Sequence, residues 1–157
     1  MIETIESVLC ERAAAEAAQL LHDFNVEYDE PAPPPEAIAV RLRKLIGGKH
    51  VVALLTRDNA SGTAVGVAVM RLQPSLWSDA QEAYLAELYV TPNQRGKGYG
   101  RELITEAMRA ARERSATYAY LITSEADERA QRLYESAGFR RTEGPGGPLM
   151  LAYEREL

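Results

Sequence analysis

Apolar residues recur along this chain at two periods, and the changes of period mark its elements. Over residues 8–24, Cys10, Ala13, Ala17, Leu20, Leu21 and Phe24 fall on one stripe, which is helical spacing. The stretch EYDEPAPPPE, 27–36, ends it, because its prolines cannot continue a helix and its carboxylates hold it in solvent. Proline suits a first helical turn, so a second helix is predicted from Pro35. Its apolar face is Ile38, Leu42, Leu45 and Ile46, and Gly47-Gly48 stops it.

The period then drops to that of strands. Two β-branched runs in HVVALLTRDNASGTAVGVAVMRL flank Asn59-Ala60-Ser61-Gly62, a hairpin pattern. SLWSD, 75–79, reads as a loop, and AYLAELYV, 83–90, as a buried strand that Pro92 ends. From Arg101, the residues Leu103, Ile104, Ala107, Met108 and Ala111 make the apolar face of a helix. TYAYLIT, 117–123, predicts another strand. Ala126, Ala130, Leu133, Tyr134 and Ala137 line a further helix capped by Gly138. A short strand is expected to begin at Phe139, and PLMLAYE, 148–154, to close the chain as a strand. Helices, hairpin, strand, helix, strand, helix and strands, in that order, argue for a mixed sheet carrying helices rather than a regular βα alternation.

Composition narrows the chemistry. At 157 residues and 46% hydrophobic, one domain spanning 1–157 can bury a core. A net charge of −5 disfavours nucleic acid or an anionic membrane as partner. One cysteine excludes an internal disulfide and a Cys-rich zinc site, and His22 and His50 form no ligand pair, so no metal is expected. The N-terminus has neither a basic n-region nor a long apolar run, which predicts a cytoplasmic protein without a membrane span.

NQRGKGYGREL, 93–103, stands apart. Three alternating glycines lie between a strand and a helix start. The first helical N–H groups lack partners and sit at the positive end of the helix dipole, and glycine lets backbone approach an anion closely. Arg95, Lys97 and Arg101 add charge around the same bend, so residues 95–101 suit a phosphate or diphosphate. The GxGxG spacing fits neither a P-loop, since no Lys-Ser or Lys-Thr follows, nor a dinucleotide fingerprint. A tight strand-to-helix turn is the plainer alternative.

Two blocks together carry a resemblance. LYVTPNQRGKGYGRELI resembles the acetyl-coenzyme A signature of the GNAT superfamily of N-acetyltransferases, with Arg95-Gly96-Lys97-Gly98-Tyr99-Gly100 matching its [QR]-x-x-G-x-[GA] element. About thirty residues on, ERAQRLYESAGFR resembles the family's A-x-x-L-Y-E-x-x-G-F element through Ala130, Leu133, Tyr134, Glu135, Gly138 and Phe139. The resemblance implies an α/β (α+β) domain with a mixed, mostly antiparallel central sheet, a splayed strand pair and helices on both faces. It implies acetyl-CoA as co-substrate, its pantetheine lying in the gap between strands 83–90 and 117–123. Leu88, Tyr89 and Val90 would border that arm, and main-chain N–H groups of residues 95–100, with Arg101, would hold the diphosphate. The family often has Asn three residues before Ala130; here Asp127 stands there, which can accept but not donate when ionised. Family members often pair as dimers.

The implied reaction is direct attack of a primary amine on a thioester. An amine of pKa near ~10 is mostly ammonium at neutral pH, so a carboxylate must take a proton. Glu87 is the first candidate, inside the strand beside the acetyl position, and Glu82 the second. Alternation puts Glu87 and Tyr89 on one face of the strand, Leu88 and Val90 on the other. The bland alternatives are a Glu87 paired to an arginine across the sheet and a solvated Glu82. Tyr134 matches the family's general acid; otherwise it is a core tyrosine. On the acceptor side, Tyr28, Glu30, Trp77 and Glu82 are candidates, and the acidic 27–36 segment points to a small cationic amine. An acetyl-CoA sensor of the same fold, without turnover, is the rival.

Overall fold

The computed structural model describes residues 1–5 and 11–157. The central sheet has five strands in the order β1-β2-β3-β4-β5, namely Ile2–Ile5, Val51–Arg57, Ala64–Pro74, Gln81–Val90 and Ala116–Tyr120. All neighbours are antiparallel except β4 and β5, which run parallel. Helices α1 (Glu11–Glu27) and α2 (Pro35–Gly47) cover one face, where Ala13, Ala17, Leu20, Leu42 and Ile46 meet Ala53, Leu55, Val67 and Tyr89. Helix α3 (Tyr99–Glu113) covers the other, where Leu103, Ile104 and Ala107 meet Leu54, Ala68, Met70 and Leu85. Helix α4 (Glu128–Ser136) adds Leu133 and Tyr134 to that second core.

Most elements stand where the pattern puts them, and the departures have physical causes. The first helix runs on to Glu27, until Asp29 turns left-handed at φ 55 and prolines follow; Cys10 lies outside the described residues. Strand β1 lacks a pattern long enough to read, and exists because β2 offers it an edge, with Ile2 opposite Thr56 and Ile5 opposite Ala53. Helix α3 starts at Tyr99, two residues early, because its N-cap Gly98 adopts φ 95. Strand β5 stops at Tyr120 rather than 123, since β4 gives it no partner beyond Tyr84.

The expected strands at Phe139 and 148–154 do not form. Thr142 and Leu149 make one isolated bridge, and Leu149, Leu151 and Tyr153 stand exposed. Strand propensity reflects fit to a pleated, partly buried surface, and no neighbouring strand supplies one to this segment.

Gly66 shows how tightly the hairpin is packed. A Cβ there would lie 2.9 Å from Thr56 Cγ2, 3.0 Å from the Tyr89 carbonyl oxygen and 3.1 Å from Leu103 Cδ1. Both backbone and core atoms crowd it. Gly66→Ala is expected to lower stability by about 1–3 kcal/mol through overpacking. Urea unfolding would then show a reduced midpoint at unchanged slope, and an unchanged midpoint would contradict the packing described.

Candidate active site

The site grows from one irregularity in β4. Opposite β3 the register runs Val69↔Glu87 and then Met70↔Leu85, so Ala86 is an extra residue, a β-bulge. Without it Glu87 and Tyr89 would follow Ala83 and Leu85 into the α3 core. With it, Leu88 and Val90 pack on that side, while Glu87 shares the face of Val69 and Tyr89 joins the α1–α2 core. The alternation read from the sequence beyond residue 86 therefore holds, but only because the bulge resets it.

Beyond Tyr84, β4 and β5 no longer pair. Thr91 N–H donates to Val65 O at 2.9 Å, so by alternation residues 89 and 91 turn their main-chain groups to β3. Leu88 and Val90 turn theirs to the open edge. Tyr89, expected beside the cofactor, is instead directed inward. Its ring is 5% exposed, stacks on Phe24 with centroids 5.4 Å apart and lies under the Arg95 guanidinium.

A 3₁₀ turn, Pro92–Gln94, carries β4 into the glycine bend. Gly96 and Gly98 sit at φ 82 and 95, left-handed conformations that side chains resist. The N–H groups of Gly96 through Arg101 meet no acceptor among the described residues; the first that does is Glu102's, which donates to Gly98 O at 3.0 Å. Six bare amides at a helix N-terminus are what an anionic diphosphate requires. A cradle that side chains would fill is thus present.

The charges around the bend divide. Arg95 is committed: its guanidinium pairs with Glu27 at 2.7 Å, and its Nε donates to Val90 O at 2.8 Å. That pair holds the Glu27 carboxyl below its usual range, so Glu27 adds no free negative charge to the 27–36 segment. Lys97 Nζ donates to Gln94 Oε1 at 2.7 Å and stays at the rim, and Arg101 is exposed. Tyr99, expected at the cofactor, buries its ring, and its OH donates to Asp58 Oδ2 at 2.8 Å; only its N–H faces the bend. Arg129 was missed in the sequence. Its Nη2 lies 3.7 Å from where a Gly96 Cβ would be, and it makes no ion pair among the described residues. Its position just before Ala130 in the second block was the available signal.

Asp127 caps α4, its carboxylate accepting from Ala130 N–H at 2.9 Å. Tyr134 lies half-buried on α4, edge-on to Phe139 at 6.3 Å. Burial first, then the charges of Asp127 and Tyr28, push its phenol up to about 12. Tyr28 is 52% exposed and packs edge-on against Phe24, so the end of α1 faces Tyr134.

Burial raises the Glu87 pKa, against a smaller opposing pull from Arg71. Among the described residues its carboxyl makes no hydrogen bond or ion pair. Glu82 is held by Gln73 Nε2 at 3.3 Å. Trp77 is 88% exposed at the tip of the β3–β4 hairpin, and Glu30 is exposed in the α1–α2 connection; neither meets the β4 edge. A separate cavity of about 500 Å³, bordered by Ile46, His50, Val51 and Leu72, opens at the beginning of β2, the opposite end of the sheet from the glycine bend. Among the described residues no group of His, Cys, Asp or Glu could hold a metal ion, and no helix is long and apolar enough to cross a membrane.

Comparison with known proteins agrees with this geometry. The model of the Acetyltransferase (GNAT) family matches residues 17–139. The D-amino-acid N-acetyltransferase HPA3 of Saccharomyces cerevisiae is 30% identical over 108 residues, 68% of this chain and 67% of its own. An N-acetyltransferase of Archaeoglobus fulgidus is 35% identical over 101 residues, 59% of this chain and 69% of its own. A crystal structure of an acetyltransferase candidate from Arthrobacter sp. FB24 superposes with a TM-score of 0.85 at 36% identity, covering 100% of this chain and 96% of that one. The family characteristically takes its acyl group from acetyl-CoA. This chain belongs to the GNAT family and is an acetyltransferase.

Proposed function

We propose that the chain acetylates a small primary amine, with Glu87 receiving the amine's proton and Tyr134 donating to the sulfur that departs. The observation that carries this is the bulge at Ala86. It sets a half-buried Glu87, without a hydrogen-bond or ion-pair partner among the described residues, beside an open strand edge that leads into six bare amides. Bound acetyl-CoA supplies a thioester, whose carbonyl is open to direct attack by a neutral amine. Leu88 and Val90 align the donor along the β4 edge, and the N–H groups of residues 96–101 hold its diphosphate, with Lys97, Arg101 and Arg129 at the rim. A main-chain N–H near Leu88 polarises the carbonyl.

Glu87 acts first. Its raised pKa makes it a stronger base than a solvated carboxylate, and an ammonium group replaces the partner it lacks. Tyr134 acts as a hydrogen-bond donor more than as a full acid. From a phenol at about 12, outright transfer to a thiolate whose thiol titrates near ~8.5 is uphill by roughly 5 kcal/mol. A hydrogen bond held throughout avoids that cost while still stabilising the leaving sulfur. The N-acetyltransferase activity in the name of the yeast relative supports an amine acceptor.

Calorimetry with acetyl-CoA should show binding and a raised melting temperature, whereas ATP should do neither. An amine panel with a free-thiol readout then tests turnover. Tight binding with no amine consumed would instead make the chain a sensor. Glu87→Gln should lower kcat/KM by ~10²-fold or more with acetyl-CoA affinity nearly unchanged. In the wild type, activity should fall as pH drops through a midpoint above the ordinary glutamate value. That is the direction required of a base whose pKa burial raises, and the Gln variant should lack this acid limb. Tyr134→Phe should reduce kcat ~100-fold and leave donor binding intact; equal rates would return Tyr134 to a packing role.

A further inference from the structure

The geometry points to Arg71 as the anchor for a carboxylate on the acceptor, so that the amine used is one bearing an acid group, such as an amino acid. This rests on the amine-acetylation reading above and specifies its substrate. Arg71 follows Val69 by two residues on β3, so the two share a face of the sheet. Val69 is directly opposite Glu87, and Arg71 directly opposite Tyr84. Arg71 is thus the diagonal neighbour of the proposed base, on the same face. It is close enough to act on Glu87 electrostatically, yet the two are not paired.

Arg71 forms no ion pair or hydrogen bond with any described residue. On this sheet face that is exceptional: Arg57 is shared by Glu3 and Glu16, and Arg95 is held by Glu27. Arg71 is itself exposed, and helix packing reaches one flank of it only: its β2 partner Val51 is buried in the same cluster as Ile46 of α2, while its β4 partner Tyr84 is half-buried. Beside it the rings of Tyr84 and Tyr120 stack at 5.0 Å, and Tyr120 and Tyr118 at 6.1 Å, a flat apolar shelf.

The chemistry of these groups is complementary to a zwitterion. Glu87 receives the ammonium end, and Arg71, whose planar fork matches a carboxylate, receives the acid end. The side chain of such a molecule can rest on the tyrosine shelf. A polycation fits less well, since a second ammonium would meet the guanidinium. The acidic connection between α1 and α2 does not reverse this, because the Glu27 charge is taken up by Arg95.

The test uses matched acceptors with several side chains: the amino acid, its carboxamide, and the amine lacking the carboxyl group. Wild-type protein should favour the acid-bearing member by about 100-fold in kcat/KM, mostly through KM. Arg71→Gln should erase that preference; on the carboxyl-free amine its acid limb should move to higher pH, because the pull of Arg71 on Glu87 is gone, with the rate above that limb changed less than a few-fold. Arg71→Lys should recover part of it. Because Arg71 has no described partner, the melting temperature and acetyl-CoA affinity should stay put in both variants. Turnover favouring carboxyl-free amines in the wild type, or an equal loss on all three acceptors in Arg71→Gln, would overturn the inference while leaving amine acetylation standing. Binding of acetyl-CoA with turnover of no amine at all would overturn both.

Discussion

Backbone groups in a sheet need partners, and β4 leaves part of its own unmatched. Up to Tyr84 its edge is paired with β5; from Leu88 to Val90 the groups on that side face open space. An unpaired edge is ordinarily a hazard, since any other strand can add to it. Here the exposed stretch is short, and its far end is blunted by Arg95, whose Nε takes the Val90 carbonyl. What remains is a few donors and acceptors beside a bend of bare amides. Such a surface selects an extended ligand that has amide groups along its length and anionic groups at one end. The rest of the site is arranged about this edge.

The acceptor side is fixed by a strap from the same bend. Arg95 reaches from the glycine loop to Glu27 at the end of α1 and covers the Tyr89 ring, on which Phe24 stacks. This pins the first helix to the donor-side loop. It also cancels two charges that, counted from sequence, would seem available to ligands. The exposed carboxylates left in the connection, Asp29, Glu30 and Glu36, lie in high dielectric where salt screens them. Glu87, half-buried on the sheet, feels a nearby charge more strongly. The proposed selection of the acceptor by Glu87 and Arg71 on the sheet, rather than by the acidic loop, follows from this difference in screening.

The sequence made the hairpin, α2, α3, β4 and the glycine bend legible because each rests on local rules: apolar period, proline placement, glycine conformations. Glu87 was legible through alternation, although the residue that makes alternation come out right, Ala86, gives no signal of its own. A bulge is a two-strand property and shows only once β3 is laid beside β4. The same limit explains Arg95 and Tyr99. As residue types they look like ligand-binding groups, but their side chains are consumed by Glu27 and Asp58, 68 and 41 positions away. It also explains the C-terminal 148–154 segment, whose strand-like pattern has no adjoining strand in the fold. Arg129 escaped notice for the converse reason: a charged residue on a polar helix face looks ordinary until the helix is docked.

That docking shows why the two sequence blocks belong together. Gly100, in the first turn of α3, has Leu133 Cδ2 only 3.1 Å from where its Cβ would be. A side chain there would crowd Leu133 and force its tip to shift. Leu133 is followed by Tyr134, and Arg129 lies one turn earlier on the same helix, against Gly96. The glycines of the first block thus do two jobs. Gly96 and Gly98 turn the backbone so that its amides are bare, and Gly100 admits the helix that brings a phenol and a guanidinium to the same bend. Crowding at residue 100 would bear on Tyr134 without touching it, so the glycine bend and the phenol proposed to hydrogen-bond the departing sulfur share one packing contact.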